Sequence, residues 1–387
     1  MAQAPGRKII LPITVIVAIP LISFLLWFFS EKKVFNILIV NKSAYSTSRF
    51  ENKSVFGILN HNRFVKENGE VYNRRRDYYG FFPSKPYDEK QYYVREINGN
   101  NADSLAGKYD MAWFVDTYGL TVGDWYGDAS SDNERSSILY GGLNQHDYRL
   151  LHEMLANDKL VMAEFNFFAS PTPDNIRKKT EALIDIYWSG WTGIYYDDLN
   201  YRTNKYLPVW IVETYREQNN SYWPYTKSGI VLVHEDGDIL VLENETHLDI
   251  EVPLVTTSPE KAAFFGVSEQ VHYPYRFDIS YAADTTRIIS FYELCVNEKG
   301  RQLLGRRNIP LRFPAVIGKA GGGNFYYLAG NFSFYEMPAF TTMMRGTRAI
   351  DFLLYSDRLA SRDKFFWKYY YPFVTNVVSD YYQESSE

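Results

Sequence analysis

The chain has 387 residues, a formal net charge of −5 at pH 7 and one cysteine. This length can bury a full core and allows one large domain or two smaller ones. The acidic balance and the lack of a basic stripe exclude a typical nucleic-acid-binding protein. The single cysteine, Cys295, excludes an intrachain disulfide and a cysteine-based metal site, so we interpret it as a buried structural thiol. The histidines lack metal-ligand spacing, and we expect no metal ion and no cofactor.

An apolar N-terminal segment, Ile9–Phe29, has about the length that a bilayer core requires. No small-residue cleavage site closes it, so we interpret it as an uncleaved signal anchor in the lipid bilayer. Lys and Arg flank it on both sides, which leaves the charge rule nearly balanced. Because everything foldable follows the segment, we expect a short cytoplasmic N terminus (1–8), a transmembrane helix (9–29) and an extracytoplasmic body. The prediction is a single-pass inner or plasma membrane protein.

Strands and helices alternate in the first part of the body. Strands are predicted at nearly continuous apolar runs, as in a parallel sheet buried on both faces, and helices where apolar residues recur at helical spacing. The predicted strands are Val34–Val40, Tyr109–Val115 and Leu160–Ala163, and the predicted helices are Ser54–Val65, 145–157 and 173–187. Asn144 and Thr172 are the expected caps of the last two helices. The predicted fold class of 34–200 is α/β, a flavodoxin-like parallel sheet with helices on both faces.

The second part of the body, 201–335, is predicted to be β-rich and to complete or elaborate this sheet. Its short strands are predicted at Gly229–His234, Ile239–Glu243, Leu248–Leu254, Tyr275–Ser280, Arg287–Val296, Ala315–Gly318 and Asn324–Ala329. Lys66–Glu96, which is polar and contains two prolines, is predicted as a surface excursion or a hairpin. The C-terminal part, 336–387, is predicted to form a helical tail rich in aromatic residues. This tail could dock on the body, lie against the membrane or meet a partner helix.

The first candidate site lies where two predicted strands end. Asp116 follows Tyr109–Val115, and Glu164 and Asn166 follow Leu160–Ala163. The helix between these strands makes a right-handed crossover, which gives parallel strands that end at the same edge. We therefore expect the three polar side chains at one crevice, where two carboxylates divide acid and base roles if burial separates their pKa values. The alternative is that Asp116 and Asn166 only cap loops.

The second candidate site combines aromatic rings with carboxylates after the third predicted helix. Its residues are Trp188, Trp191, Tyr195, Tyr196, Asp197 and Asp198. Aromatic rings can pack on the C–H faces of sugars while acids accept hydrogen bonds from sugar hydroxyls, so this group predicts a glycan ligand. The alternative is a tight turn within Trp188–Gly193 whose indoles fill the core.

The order of these segments resembles the class I glutamine amidotransferase-like superfamily. The matching segments are YDMAWFVDTYG (109–119), YGGLNQHDYRLLHEML (140–155), KLVMAEFN (159–166) and GKAGGGNFYYLAGNF (318–332). In that superfamily one strand ends near a Gly-Gly loop, a helix follows, and the next strand ends in the turn that carries the nucleophile. The resemblance covers 34–187 and 315–331 and implies a flavodoxin-like fold.

The residues of thiol chemistry are missing from the matching segments. Where catalytic members place a cysteine in a glycine-flanked turn, this chain has Glu164-Phe165-Asn166, and no His-x-Glu partner is visible. Cys295 lies far from that turn, and thiol-based glutamine hydrolysis needs an activated thiolate. The resemblance therefore implies a degenerate, non-catalytic type without amidotransferase activity.

Three functions are compatible with these features. The first is a membrane-anchored, extracytoplasmic binding or scaffolding component of a cell-envelope assembly, with a polysaccharide-related ligand. The second is a carboxylate-based glycan hydrolase that uses Glu164 with Asp116 or Asp198, whose separation would decide between retention and inversion. The third is a structural subunit whose aromatic tail docks a membrane-protein partner.

Overall fold

The computed structural model describes residues 7–85, 89–127, 136–318 and 324–386, except for the side chains of 7–17. The strands are β1 (Lys33–Val34), β2 (Ile37–Asn41), β3 (Phe64–Val65), β4 (Tyr79–Pro83), β5 (Tyr92–Arg95), β6 (Met111–Asp116), β7 (Leu120–Thr121), β8 (Ile138–Tyr140), β9 (Leu160–Ala163), β10 (Ile186–Tyr196), β11 (Gly229–His234), β12 (Ile239–Glu243), β13 (Leu254–Thr257), β14 (Gln270–His272), β15 (Arg276–Ala282), β16 (Ile288–Glu293), β17 (Arg312–Ile317) and β18 (Phe325–Leu328). The α-helices are α1 (Arg7–Phe28), α2 (Lys53–His61), α3 (Ala102–Lys108), α4 (Val122–Tyr126), α5 (Gln145–Ala156), α6 (Asp174–Ile184), α7 (Val209–Gln218), α8 (Pro259–Phe265), α9 (Glu298–Gly305), α10 (Arg362–Phe365) and α11 (Tyr371–Ser386).

A ten-stranded mixed sheet forms the centre of the molecule, in the order β14-β13-β16-β17-β18-β9-β6-β2-β4-β5. Neighbours from β18 to β4 pair in parallel, and the remaining pairs are antiparallel. Counted along the chain, the five parallel strands have the spatial order 2-1-3-4-5, which is one of the doubly wound orders. The predicted α/β class with a parallel sheet is confirmed at this level.

Helices cover the parallel part of the sheet. α2 follows β2 and contacts α11, whereas α3 and α5 contact each other. α2 leads from β2 outward to β4, while α5 leads from β6 in the opposite direction to β9. Because such crossovers are right-handed, α2 and α5 lie on opposite faces of the sheet.

Local sequence explains the best-defined helix and the strand that follows it. The side chain of Asn144 accepts hydrogen bonds from the backbone N–H groups of His146 and Asp147, at 2.8 and 3.0 Å. Asp147 accepts in return from the Asn144 N–H at 2.8 Å, which completes a capping box. After α5, all four residues of β9 are buried. The predicted cap and the predicted strand are therefore confirmed.

The segment Lys66–Glu96 contains more order than its composition indicates. β4 and β5 pair as antiparallel neighbours, which confirms the hairpin alternative, but β4 also pairs in parallel with β2. The sequence did not predict that β4 joins the parallel sheet beside β2, because β4 is short and lies in a segment that contains prolines. Gly80 has a positive φ of 135°, and a Cβ there would lie 1.9 Å from the carbonyl oxygen of Asn41, so only glycine permits the close approach of the two strands.

A four-stranded antiparallel sheet, β12-β11-β10-β15, forms a second layer. The tight turn predicted within Trp188–Gly193 is wrong, because this segment belongs to β10 and contains a register shift between Trp188 and Thr192. The ring of Phe277 occupies the space next to Gly193, which leaves no room for a side chain at that position. β10 comes from the predicted segment 34–200 and the other three strands of this sheet from 201–335, so strands of both segments share one sheet.

Two further local predictions are wrong. Thr172 does not cap α6, since its hydroxyl accepts a hydrogen bond from the Leu143 N–H at 2.9 Å. Pro173 takes the N-cap position, and the helix begins at Asp174. The C-terminal part, 336–387, is predicted to form a helical tail, but within it Ala339–Met343, Thr347–Ala349 and Asp351–Leu353 are short 3-10 turns.

The aromatic tail docks on the body. α10, a π-helical turn at Phe366–Tyr370 and α11 follow one another without a break. The tail buries Phe365, Phe366, Trp367, Tyr369, Tyr370, Tyr371 and Phe373. Of the three arrangements expected for the tail, the structure therefore has the one in which it completes the core.

The predicted membrane span, 9–29, falls almost entirely on α1, and the side chains of its first nine residues lie outside the described part. Within the described residues, no helix has both the length and the apolar character needed to cross a membrane. The end of α1 is fixed to the body by hydrogen bonds between Ser23 and Arg345, at 2.6 and 3.1 Å, and by the Trp27 indole, which donates to the carbonyl of His61 at 3.0 Å.

Candidate functional site

A cleft of about 1220 Å³ opens at the carboxyl ends of β2 and β6. This is the point where the strand order of the parallel sheet reverses, which is where open α/β sheets bind ligands. One wall comes from the loops that follow β2, β6 and β9, and the opposite wall from β10, β15 and the segment that leads into α7. The cleft is larger than the roughly 300–1000 Å³ typical of sites for small ligands, so it has room for an extended one.

Asp116, the last residue of β6, lies at the floor of this cleft and is partly exposed. Its carboxylate accepts a hydrogen bond from the Tyr118 N–H at 2.9 Å. Burial raises the pKa of Asp116 to about 6, and the nearby Arg276 only partly opposes this rise. Burial also raises the pKa of Glu51, a second carboxylate that lines the cleft. Both acids therefore bind protons more readily than exposed carboxylates do.

Asn166 lies in the turn after β9 and also faces the cleft. Its backbone has a positive φ of 64°, a conformation that asparagine tolerates better than most residues. The N–H of Asn166 donates to Asp278 at 2.9 Å, and its carbonyl accepts from the Thr117 hydroxyl at 3.1 Å. These bonds fix the backbone. Among the described residues the side-chain amide has no hydrogen-bond partner, so it is free for a ligand.

Asp278 holds the two sheets together behind the cleft. Besides the Asn166 N–H, its carboxylate accepts hydrogen bonds from the hydroxyls of Tyr327 at 2.8 Å and Thr192 at 3.1 Å. Burial raises its pKa to about 6. The sequence analysis missed Asp278. An acid within the apolar strand pattern of β15 was the available signal, because a buried carboxylate needs partners of this kind.

Glu164 does not lie in the cleft, contrary to the expectation that it shares a crevice with Asp116. In the parallel register Phe114 lies beside Ala163, so Glu164 is level with Val115 and not with Asp116. Side chains alternate between the faces of a strand, and this offset of one residue directs the two carboxylates to opposite faces.

The Glu164 carboxylate is fully engaged in the core. It accepts hydrogen bonds from the Trp113 indole at 3.0 Å, the Tyr370 hydroxyl at 2.6 Å and the Ser333 N–H at 3.1 Å. Only 1% of the residue is exposed, and burial raises its pKa to about 7. These contacts connect β9 to β6 and to the aromatic tail, so Glu164 is positioned to stabilise the fold.

The second predicted group divides between the cleft and its surroundings. Four of its members line the cleft: Trp188, Tyr195, Tyr196 and Asp197. Trp191 does not, because it is 7% exposed and packs its ring 4.9 Å from that of His234. Asp198 accepts hydrogen bonds from the Asn200 N–H at 2.7 Å and the Thr203 hydroxyl at 2.6 Å, which stabilises a turn outside the cleft lining. The tryptophan pair thus has one ring at the cleft and one in the core.

Further aromatic residues that the sequence analysis did not select complete the walls. Tyr206, which is 89% exposed, and Trp210 line the side formed by the approach to α7. Tyr275 and Phe334 stack with ring centres 5.2 Å apart on the other side. The chain contains 33 tyrosines, so no local pattern distinguished these residues before the fold brought them together.

The described residues contain neither a metal-binding cluster nor a cysteine placed in the cleft. Across the described ranges, no cluster of three or more His, Cys, Asp or Glu side chains is arranged to hold a metal ion. Cys295 is half-buried rather than fully buried, and it is not part of the cleft lining. Burial raises the pKa of its thiol, which opposes the formation of a reactive thiolate.

Comparisons with known proteins give a distant structural similarity. No family model matches the chain, and no curated protein matches it. A crystal structure described as a ThuA-like protein from Parabacteroides merdae ATCC 43184 is similar over 86% of this chain and 90% of that chain. The identity is 10% and the TM-score 0.35, so this similarity carries no argument about function.

Proposed function

We propose that this protein is a non-catalytic saccharide-binding component whose site is the cleft at the carboxyl ends of β2 and β6. The observation that carries the proposal is the combination of aromatic faces with carboxylate and amide groups around one large open cleft. Trp188 and Tyr206 offer rings for the C–H faces of sugars. Asp116 and Asn166 offer acceptors and donors for hydroxyl groups. A small number of such polar groups is enough to fix a ligand's orientation.

The residue in the turn after β9 supports a binding role over a catalytic one. In the amidotransferase-like superfamily that the sequence resembles, this turn carries the nucleophile. Here the residue with the left-handed backbone is Asn166, whose amide is neither an acid, a base nor a nucleophile of the usual kinds. We propose on this basis a degenerate, flavodoxin-like member of that superfamily without amidotransferase activity.

The alternative of a carboxylate-based hydrolase finds less support. It required Glu164 with Asp116 or Asp198, and neither Glu164 nor Asp198 lines the cleft. Asp116 and Glu51 are the acids with raised pKa values that do line it. A hydrolase would therefore have to use this second pair.

We propose further that the protein acts at a membrane of the cell envelope, with its body outside the cytoplasm. The end of α1 presents exposed apolar side chains, including Ile19 at 56%, Leu26 at 58% and Phe28 at 52%. The neighbouring segment adds Phe340 at 57% and Leu353 at 69%. Exposed apolar area of this extent is typical of surfaces that meet lipid or another membrane protein. Flotation of the full-length chain with phosphatidylcholine vesicles tests this, and recovery only in the dense fraction contradicts it.

Glycan-array binding by the full-length protein tests the saccharide proposal, with two matched tyrosine variants. Tyr206 is 89% exposed and lines the cleft, whereas Tyr222 is 67% exposed and lies outside its lining. We expect Tyr206→Ala to weaken binding about fivefold to thirtyfold, which is the usual effect of removing an aromatic contact. Tyr222→Ala should leave it unchanged.

Two results would contradict the proposal. Equal effects of the two variants would remove the cleft as the binding site, and absence of binding to any saccharide would remove the function. Release of shortened saccharides by the wild type, abolished by Asp116→Asn, would favour the hydrolase instead.

A further inference from the structure

One cation in the cleft has no partner of opposite charge. Arg276, the first residue of β15, is exposed and lines the cleft. Among the described residues, none forms an ion pair or a hydrogen bond with its guanidinium. Its electrostatic neighbours are Tyr275, Tyr196, Asp116 and Tyr118, of which only Asp116 is a carboxylate, and that acid lies beyond ion-pair distance. The N–H donors of this side chain are therefore not used by the described protein groups, and the residue lines a cleft that a ligand can enter.

The aromatic ring next to Arg276 is that of Tyr275, and a second arginine also contacts it. The Arg362 guanidinium lies 3.8 Å from the centre of the Tyr275 ring, and the Arg276 guanidinium lies 5.7 Å from it. Arg362 is fixed in addition by a hydrogen bond to the carbonyl of Phe334 at 3.1 Å. Two cations thus lie close to one aromatic ring, and for Arg276 no hydrogen bond of the guanidinium to the described protein groups is present.

We propose, building on the saccharide-binding function above, that the ligand is an acidic saccharide and that Arg276 binds a carboxylate on its sugar ring. The planar guanidinium matches a carboxylate in a paired, two-bond geometry that a lysine could not supply. The ring of the same sugar can pack on the neighbouring aromatic wall. The subsite is therefore selective for an anionic sugar at one position in an otherwise aromatic and polar cleft.

Two other cations line the cleft, Arg362 and the exposed Lys205, and several acids oppose their charge. Glu235 is paired with Arg177 at 2.5 Å and contributes little free charge. Asp116 and Glu51 have raised pKa values, and both are less completely ionised near neutral pH than exposed acids. Since Asp197 and Asp124 remain as unpaired acids along the lining, the cleft as a whole is not cationic. A sulfated saccharide should therefore gain no general advantage over one whose anionic groups are carboxylates.

Asp116 makes this subsite sensitive to pH. The groups that face it are Arg276 and the Asp278 carboxylate from β15, Glu51 from the turn before α2, and the hydroxyl of Ser43 and the N–H of Tyr118 from the adjoining loops. A bound carboxylate favours the protonated form of Asp116, so affinity should fall as the pH rises through the range in which Asp116 ionises.

Calorimetric titration of the full-length protein tests the proposal with three unbranched oligosaccharides of equal length: an oligogalacturonate, a neutral oligogalactoside and a sulfated oligogalactoside. We expect the oligogalacturonate to bind about tenfold or more tightly than the neutral probe, as a charge-assisted hydrogen-bonded pair allows. Arg276→Gln should remove that advantage and change binding of the neutral probe less than about twofold. Arg276→Lys should retain a part of it.

Arg301→Gln is the matched control, because this arginine is exposed and lies outside the cleft lining. It removes the same charge and should change no affinity. Asp116→Asn should flatten the pH dependence of oligogalacturonate binding, and that dependence should be steeper in the wild type for the oligogalacturonate than for the neutral probe. Circular dichroism of each variant verifies that the fold is retained.

The outcomes separate this inference from the proposed function. If Arg276→Gln weakens the acidic and the neutral probe equally, or if the sulfated probe binds as tightly as the oligogalacturonate, the carboxylate subsite is wrong and saccharide binding stands. If the wild type binds none of the three probes, the carboxylate subsite is wrong, and the saccharide function falls with it only if the glycan array also shows no binding.

Discussion

Two carboxylates at the ends of neighbouring parallel strands differ in their surroundings: one faces a cleft and the other lies in the core. Asp116 ends β6, is partly exposed and faces a cleft of about 1220 Å³. Glu164 follows β9, is 1% exposed and is held by three donors in the core. Burial raises the pKa of both, to about 6 and about 7. A raised pKa therefore does not identify a functional acid by itself, and access to a ligand distinguishes the two.

The largest expected effect that tests this comparison is on stability at Glu164. Glu164→Ala leaves the Trp113 indole, the Tyr370 hydroxyl and the Ser333 N–H without their acceptor in the core. Because each buried unsatisfied donor costs about 1–3 kcal/mol, we expect the free energy of unfolding to fall by about 3–5 kcal/mol. Urea denaturation of the full-length protein measures this change.

Tyr370→Phe provides a graded control for that variant. It removes one donor and leaves the other two bonds of Glu164 in place, so its cost should be about 1–2 kcal/mol. A loss at Glu164→Ala no larger than the loss at Tyr370→Phe would contradict the role of Glu164 as a structural anchor.

The pH dependence of stability is the next effect in size. The folded-state pKa of Glu164 is about 7, above the value of about 4.5 expected for an unfolded chain. Below about pH 4.5 the group is protonated in both states, and from there to about pH 7 only the unfolded chain loses the proton, so stability decreases. The contribution lost is about 3 kcal/mol over this window. Glu164→Gln should therefore show a shallower decline than the wild type in urea titrations between pH 4.5 and 8.

Asp116 and Asp278 titrate in a similar direction, so the comparison must be made as a difference between wild type and variant. Both have pKa values raised to about 6. Parallel declines for wild type and Glu164→Gln would assign the whole pH dependence to these two acids and none to Glu164.

The smallest expected effect is on stability at Asp116. Asp116→Asn keeps an oxygen that can accept the hydrogen bond of the Tyr118 N–H, and the side chain is partly exposed. We therefore expect the free energy of unfolding to change by less than about 1 kcal/mol. The same denaturation measurement applies, and a loss comparable with that of Glu164→Ala would mean that both carboxylates are structural.

The parts of the fold that the sequence predicted depend on local patterns. The cap of α5 at Asn144 and the four buried residues of β9 require only neighbouring residues, and both predictions are confirmed. The placement of Asp116 and Asn166 at one cleft follows from the general rule for parallel strands.

The parts that it did not predict depend on distant residues or on register. Asp278 reaches Asn166 from 112 residues away, through a second sheet that the strand pattern did not assemble. Arg276 enters the cleft with the same strand. Glu164 was assigned to the wrong face because an offset of a single residue in the pairing of β6 with β9 reverses the direction of a side chain.

The hydrogen bond between Glu164 and Tyr370 has a consequence for the order in which the chain can fold during synthesis. The two residues are 206 positions apart. At the usual 5–20 residues per second, the ribosome adds Tyr370 about 10–40 s after Glu164. Ser333 is 169 positions from Glu164 and is also added late. For most of that interval the carboxylate is therefore without two of its three partners and is better left hydrated and ionised. We therefore expect the face of β9 that carries Glu164 to stay exposed to water in the nascent chain until the aromatic tail has been synthesised and covers it.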